Sequence, residues 1–254
     1  MIDILTRVRH QDLYAVMKES ARQTAAGQVR FIYESDDGQP RLAESYNRMV
    51  KHVKSDIVVL CHDDAIFLQD GWDQALLDVF ADKSVNVAGV VGSVDYRGGE
   101  MFRGGSATFR GAYVANVDEG VMVKLFSGHE STTPVDLVDS FFFAARRDVL
   151  DATPFDEQFD GLFFYDMDFM LRAGGVHVAP ILMAHYKPDH LRGVYPKDLK
   201  PMGDYWDKFH AKHGYTDIPK IGNPAVAAIP MATLKAIGRE AAYKRFADKF
   251  LVAK

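Results

Sequence analysis

Residues 56–67, with the sequence DIVVLCHDDAIF, decide the fold of this chain. Residues 57–60 form an unbroken, mostly β-branched apolar run, which is typical of a strand buried on both faces of a parallel sheet. His62, Asp63 and Asp64 follow shortly after it. Ligands of open α/β sheets bind at the carboxyl ends of the strands, so these side chains suit a divalent cation that could bind a phosphate. A polar turn is the simpler interpretation, because aspartate is common in turns.

The composition is that of an ordinary soluble globular protein. Of the 254 residues, 48% are apolar and 26% are charged, which is enough for a sizeable hydrophobic core. The net charge of -5 argues against a general nucleic-acid-binding protein, which normally has a basic excess. The single cysteine, Cys61, excludes an internal disulfide framework and fits a reducing compartment. We find neither an apolar signal-peptide stretch nor a run of about 18 apolar residues, so we expect a cytoplasmic protein.

Strands and helices are predicted to alternate along the first part of the chain. Residues 2–5 and 29–33 are apolar strand candidates, and residues 13–21 and 42–53 carry apolar side chains at helical spacing. This alternation predicts an α/β fold in which a mostly parallel sheet is flanked by helices. Further along the chain, apolar periodicity predicts a helix at 72–80 and strands at 85–94, 135–145 and 176–183.

Residues 96–111 break this periodicity with many glycines and three arginines. A surface loop is one interpretation. The other is a mobile lid in which Arg97, Arg103 or Arg110 meets a phosphate when the lid closes.

Acidic side chains recur in strongly apolar surroundings in the second half of the chain. Asp139 precedes three phenylalanines, and a buried acid must find a partner or stay neutral. Asp166 and Asp168 lie on a predicted helix and point about 200° apart, so only one of them can face a given site well. Acids at a helix N-terminus also stabilise the helix dipole, which is the alternative role for this pair. His185 by itself is more typical of a structural histidine.

Residues 231–254 are predicted to form an amphipathic helix with six basic and two acidic side chains. Packing against its own domain is one interpretation, and peripheral contact with an anionic membrane is the other.

The order of these motifs resembles that of GT-A glycosyltransferases, specifically the bacterial family-2-like group. The acidic turn after the second strand, AESYNRM at 43–49 and CHDD at 61–64 resemble the nucleotide-binding half of that group. HDD resembles a variant of its Asp-x-Asp metal motif in which histidine comes first. Three further segments resemble the acceptor half of that group, namely 138–150, 155–175 and 184–190. The resemblance therefore covers roughly residues 1–190.

The resemblance implies a GT-A-like, Rossmann-like domain over residues 1–215. Its nucleotide half would span about 1–95 and its acceptor half about 96–215. A C-terminal helical extension would follow at 216–254.

The resemblance also implies roles for individual residues. Asp64 matches the metal-ligating acid, His62 matches the first motif position, and His185 matches a third metal ligand, with Mn²⁺ or Mg²⁺ as the cation. On the donor side the implied residues are Thr6, Glu34, Asp36, Asn47 and Asp63.

Asp166 matches the catalytic base of inverting members, although Tyr165 stands where those enzymes carry glutamate. Asp168 is the second candidate for a catalytic role. Asp139 matches an acid that faces the acceptor.

These implied roles predict a metal-dependent glycosyltransferase that moves a sugar from a nucleotide-sugar donor to a hydroxyl of a glycan or lipid-linked acceptor, as in surface-glycan assembly. A single in-line displacement would invert the anomeric centre, and a retaining outcome stays open. A nucleotidyltransferase that forms nucleotide sugars is an alternative, although residues 6–12 lack the glycine- and lysine-rich phosphate signature it would need. A non-catalytic nucleotide- or glycan-binding relative is the third possibility.

Overall fold

The structure is a computed structural model. It describes residues 1–36, 38, 41–98, 106–110, 112–118, 121–127, 132–161, 164–187 and 200–216. The predicted helix at 231–254, and almost all of the predicted extension at 216–254, lie outside these residues. The division of the chain into nucleotide and acceptor halves stays a prediction.

The described residues form fourteen strands and six α-helices. The strands are β1 (Ile2–Val8), β2 (Val29–Ser35), β3 (Ile57–Cys61), β4 (Ala65–Phe67), β5 (Val87–Gly89), β6 (Gly92–Tyr96), β7 (Ser106–Arg110), β8 (Ala112–Asp118), β9 (Val121–Ser127), β10 (Thr133–Pro134), β11 (Leu137–Val138), β12 (Phe142–Arg146), β13 (Val176–Val178) and β14 (Leu182–Lys187). The helices are α1 (Gln11–Thr24), α2 (Leu42–Val50), α3 (Trp72–Ala81), α4 (Arg147–Ala152), α5 (Tyr165–Ala173) and α6 (Lys200–His213).

A seven-stranded sheet in the order β10-β13-β5-β12-β3-β1-β2 forms the centre of the molecule. Five of its strands run in one direction, and β12 and β10 run against them. Successive side chains of a strand point to opposite faces. Ile4 accordingly packs with α1 and α3, and Leu5 packs with α2 and α5. The predicted α/β fold, with a mostly parallel sheet flanked by helices, is confirmed.

Three predicted strands each divide into two shorter ones. The segment 85–94 becomes β5 and β6, which belong to different sheets. The reason is close passage of another part of the chain. A Cβ atom on Gly89 would lie 2.6 Å from Val138, and one on Gly92 would lie 2.7 Å from Val135. The segments 135–145 and 176–183 divide in the same way, the latter next to Pro180.

The expectation of a loop over 96–111 is wrong for its second half. Residues 106–110 form β7, which pairs antiparallel with β6 from Gly92↔Arg110 to Tyr96↔Ser106. Arg103 lies outside the described residues, so the lid stays a prediction. Helix α6, for which we found no periodic signal, packs Phe209 into the same core cluster as α2 and α5.

Among the described residues, no helix is both long enough and apolar enough to cross a bilayer.

Candidate active site

Three potential metal ligands converge at the end of β3. His62 and Asp64 lie in the turn between β3 and β4. Strand β14 pairs antiparallel with β4 and places His185 opposite Ala65, directly beside Asp64. Asp64 Oδ1 lies 2.8 Å from His185 Nε2 and 3.8 Å from His62 Nδ1. One ligand atom from each residue falls within 4.8 Å of the other two, so the predicted metal ligands are brought together.

The donor set of this His62–Asp64–His185 triad fits a divalent cation. Imidazole and carboxylate are both ordinary ligands of first-row divalent metals. The His185 ring is only 3% exposed and stacks on Phe141 with 4.9 Å between ring centroids. The site is therefore partly shielded from water by an aromatic wall.

The start of β12 ties the triad to the residues of the second half. Phe142 pairs with Cys61 at the end of β3, and the His62 N–H donates to the Phe141 carbonyl at 2.9 Å. Because β12 is antiparallel to β3, the residues just before it lie at the same edge of the sheet as the triad. Asp139 is held there by its own turn, since its Oδ1 accepts the Phe141 N–H at 2.9 Å.

Asp166, in the first turn of α5, meets this edge through Ser140. The Ser140 hydroxyl donates to the Asp166 carboxylate. Burial raises the pKa of Asp166 to about 6, and the nearby Asp139 charge acts in the same direction. Phe164, which comes just before α5, has a φ of 71°, a left-handed conformation that a bulky residue seldom adopts. Such strained backbone tends to cluster at functional sites.

Asp168 faces away from this edge, into a cluster of basic side chains. Its carboxylate is fully buried and bonds Arg172 Nε at 2.8 Å, Lys212 Nζ at 2.6 Å and His213 Nε2 at 2.9 Å. Because Lys212 and His213 belong to α6, Asp168 joins α5 to α6. The structure thus places Asp166 with the candidate active site and Asp168 in a structural ion-pair cluster.

Two predicted donor-binding acids lie together at the end of β2, each facing an arginine. Arg48 binds Glu34 through two parallel bonds of 3.0 and 2.7 Å, which lower the pKa of Glu34. Arg7 Nη2 lies 3.4 Å from Asp36 Oδ1, and its guanidinium also contacts the Ser45 hydroxyl. The negative charge of this group is therefore largely balanced within the chain.

Two other predicted donor-binding residues are occupied by structural contacts. Thr6 is fully buried, with its hydroxyl 3.6 Å from the Cys61 sulfur. The Asn47 amide donates to the Phe155 carbonyl and accepts the Phe155 N–H, at 2.9 Å each. It also donates to the Glu157 carboxylate. The structure does not bring either side chain to the triad.

Asp63 points away from its two neighbours in the HDD motif. Its Oδ2 accepts the backbone N–H groups of Arg9 at 2.7 Å and His10 at 2.6 Å. Burial raises the pKa of Asp63 although these bonds oppose the shift.

Sequence reasoning missed the arginine partners at the end of β2 and the basic side chains of α6 around Asp168. Arg7 follows Thr6 at the end of a predicted strand, so its position next to the acidic turn was a usable signal. Lys212 and His213 gave no such signal, since only the three-dimensional packing of α6 brings them to α5.

A family model described as "Glycosyltransferase like family" matches residues 5–175. The chain belongs to this family. The predicted GT-A-type glycosyltransferase is confirmed at this level, whereas the role of the HDD motif stays a prediction. No curated protein sequence matches this glycosyltransferase significantly.

Solved structures resemble the glycosyltransferase in fold. The crystal structure of S. aureus TarS residues 1–349 matches with a TM-score of 0.50 and 10% identity, and the match covers 86% of this chain and 67% of that one. The structure of TarS 1–349 in complex with UDP matches with a TM-score of 0.45 and 10% identity, over 72% of this chain and 59% of that one. At this identity the first match shows a shared fold and nothing finer.

The two acids of α5 are expected to respond oppositely to neutralisation. Asp168→Asn removes a buried charge from three partners and should lower the free energy of unfolding at pH 7 by about 3 kcal/mol. Asp166→Asn should leave it unchanged or raise it by up to about 3 kcal/mol, because burial disfavours the charged form and one pKa unit corresponds to about 1.4 kcal/mol. Urea unfolding of both variants and the wild type measures these differences.

The pH dependence provides the internal control. A folded-state pKa raised to about 6 from 3.8 makes the wild type lose stability as pH rises from about 4 to about 6. Any gain in the free energy of unfolding of Asp166→Asn over the wild type should therefore develop between about pH 4 and about pH 6, and it should vanish below about pH 4. A strongly destabilised Asp166→Asn beside a wild-type-like Asp168→Asn would reverse the two assignments.

Proposed function

We propose that this glycosyltransferase moves a sugar from a nucleotide-sugar donor to an acceptor hydroxyl, with a divalent cation and with inversion of the anomeric centre. The observation that carries the proposal is the meeting of two different groups at one edge of the sheet. The His62–Asp64–His185 triad can hold a cation, and Asp166 offers a buried carboxylate with a raised pKa. A metal-dependent, inverting transferase that releases a nucleoside diphosphate uses both functions.

His62, Asp64 and His185 would hold the cation, which supports the diphosphate leaving group by neutralising its charge. Two imidazoles and one carboxylate favour Mn²⁺ over Mg²⁺, because Mg²⁺ prefers oxygen ligands and keeps most of its water. Mn²⁺ is therefore the cation that we expect to act best.

Asp166 is the proposed general base. A base must be within hydrogen-bond reach of the proton it removes, and its pKa should lie near the working pH. With a pKa of about 6, Asp166 is mostly deprotonated at neutral pH and still basic enough to accept a proton. The acceptor oxygen attacks the anomeric carbon, its proton passes to Asp166, and the bond from carbon to the diphosphate oxygen breaks. One in-line displacement of this kind inverts the centre.

Ser140 and Asp139 complete the proposed acceptor side. Ser140 orients the Asp166 carboxylate by its hydrogen bond, and Asp139 lies in the same turn with a carboxylate that can accept a sugar hydroxyl. A glycan or a lipid-linked saccharide meets this requirement, which is consistent with a role in surface-glycan assembly. The peripheral membrane contact through residues 231–254 belongs to the same proposal and lies outside the described residues.

Glu34, Asp36 and Asp63 are the proposed donor-side residues. Glu34 and Asp36 stand at the end of β2, where a nucleoside would meet their arginine pairs. Thr6 and Asn47 act on the donor indirectly, because their polar atoms are already bound within the fold. Thr6 contacts Cys61 of β3, and Asn47 joins α2 to Phe155.

A screen of nucleoside diphosphates and nucleotide sugars by thermal shift, with and without Mn²⁺, tests the proposed function. The wild type should be stabilised by one nucleotide class, and a ligand at 100 times its dissociation constant adds about 2.7 kcal/mol. Asp64→Ala should abolish the Mn²⁺-dependent part of this shift because the central ligand is gone, and His185→Ala should weaken it.

Product analysis with the selected donor then identifies the reaction. Release of nucleoside diphosphate with transfer supports the proposal, and release of pyrophosphate from a nucleoside triphosphate would indicate a nucleotidyltransferase instead. Unchanged Mn²⁺-dependent binding in folded Asp64→Ala would remove Asp64 from the site.

Asp166→Asn should slow transfer by about 10²–10⁴ while retaining donor and metal binding, since removal of a general base has effects of this size. The wild-type turnover at saturating substrates should fall as pH drops through about 6, where Asp166 becomes protonated. The residual turnover of Asp166→Asn should lack this fall. Metal binding measured at each pH separates loss of the cation from loss of the base.

Asp168→Asn is the matched control, an acid-to-amide change on the same helix, and its kinetic effect should be the smaller of the two. If Asp168→Asn is nearly inactive and Asp166→Asn is mildly affected, the base is wrongly assigned. If neither variant slows transfer, a base on this helix is excluded.

A further inference from the structure

Asp63 is a buried carboxylate that bonds to the backbone of a distant loop. It lies between His62 and Asp64, is only 7% exposed, and directs Oδ2 at the N–H groups of Arg9 and His10. These bonds, at 2.7 and 2.6 Å, link the turn after β3 to the loop between β1 and α1. Burying a carboxylate is unfavourable unless its oxygens are well bonded, so this contact specifies the position of the loop strongly.

The sheet explains why this loop reaches the triad. Strands β1 and β3 are parallel neighbours, with Leu5 paired to Leu60. Their carboxyl ends therefore emerge side by side, and residues 9 and 10 lie against the HDD turn. The backbone of Arg9 is thus held by Asp63, which is the sequence neighbour of both His62 and Asp64.

The Arg9 side chain differs from the other arginines at this edge. Arg7 and Arg48 are paired with Glu34 and Asp36. Arg9 is exposed, and in the part of the chain that the structure describes no acidic group or aromatic ring contacts its guanidinium. Among the described residues its charge has no ion-pair partner, and its backbone lies beside the HDD turn. Guanidinium groups recognise phosphate oxygens through paired hydrogen bonds.

We propose that Asp63 is a positioning residue that holds Arg9 beside the triad, and that the Arg9 guanidinium binds the diphosphate of the donor. The site thereby carries two positive centres, one from the cation and one from the chain itself. This inference rests on the proposed function for the identity of the donor. It adds a prediction of its own, which is that part of the diphosphate affinity persists without metal and depends on Arg9.

Calorimetric titration with inorganic pyrophosphate in the presence of EDTA isolates this contribution, because neither metal nor nucleobase takes part. Arg9→Met should weaken pyrophosphate binding about tenfold, as expected for the loss of one charge-assisted contact. Arg9→Lys should keep most of the affinity because it keeps the charge. Arg22→Met is the matched control, because Arg22 is an exposed arginine on α1, about 17 Å along the helix from the loop that carries Arg9. This variant should bind pyrophosphate as the wild type does.

A double-mutant cycle tests the role of Asp63. Asp63→Ala alone should weaken metal-free pyrophosphate binding to a similar degree, because the N–H groups of Arg9 and His10 lose their acceptor and the loop is released. In the Arg9→Met background the same change should have little further effect, whereas an independent structural role would add to it.

Wild-type affinity in Arg9→Met, or absence of metal-free pyrophosphate binding by the wild type, would overturn the inference. Wild-type affinity in folded Asp63→Ala would overturn the part assigned to Asp63. If the pyrophosphate results hold and no sugar is transferred from any nucleotide sugar, the failure lies in the proposed function instead.

Discussion

The hydrogen bond from the His62 N–H to the Phe141 carbonyl, at 2.9 Å, is the contact on which the candidate active site depends. It continues the antiparallel pairing of β12 with β3 by one step beyond Phe142↔Cys61. If β12 were parallel to β3, residues 139–141 would lie at the opposite edge of the sheet. The reversal places Asp139 and Ser140 at the same edge as the His62–Asp64–His185 triad, and a register shift of one residue would turn their side chains to the wrong face.

The two acids of α5 show how environment decides the role of identical side chains. Asp166 is buried beside Ser140 and the Asp139 charge, and its pKa rises to about 6. Asp168, one half-turn away, is surrounded by Arg172, Lys212 and His213. The first environment favours proton exchange near neutral pH, and the second anchors α6 to the helix that carries Asp166. A loosened α6 would therefore also loosen the position of Asp166.

Much of this arrangement can be predicted from the sequence where a pattern is local. The apolar run before Cys61 predicts β3 because only a strand covered on both faces tolerates it, and the HDD motif predicts the site at its end. The structure adds that His185 reaches Asp64 through β14. The split of 85–94 was not predictable, since it depends on Val138 and Val135 passing over Gly89 and Gly92.

Other features escape local reasoning for the same physical reason. Helix α6 owes its place to tertiary contacts with α5, and its own sequence lacks a clear apolar period. Thr6 and Asn47 have residue types that suit ligand binding, yet their polar atoms are bound by Cys61 and Phe155 within the fold. A polar residue at the end of a strand or on a neighbouring helix can be recognised from the sequence as a candidate for ligand binding. Its hydrogen-bond partners in the fold decide whether its polar atoms can bind a ligand.

The anomeric configuration of the first product tests the central claim most directly, namely that one buried base and one metal triad meet at this edge to perform a single displacement. Slow hydrolysis of the selected nucleotide sugar, with water as the acceptor, can be followed by proton NMR before the released sugar equilibrates. An α-linked donor should release the β anomer first. Initial release of the α anomer would contradict the single displacement and the role of Asp166 as its base.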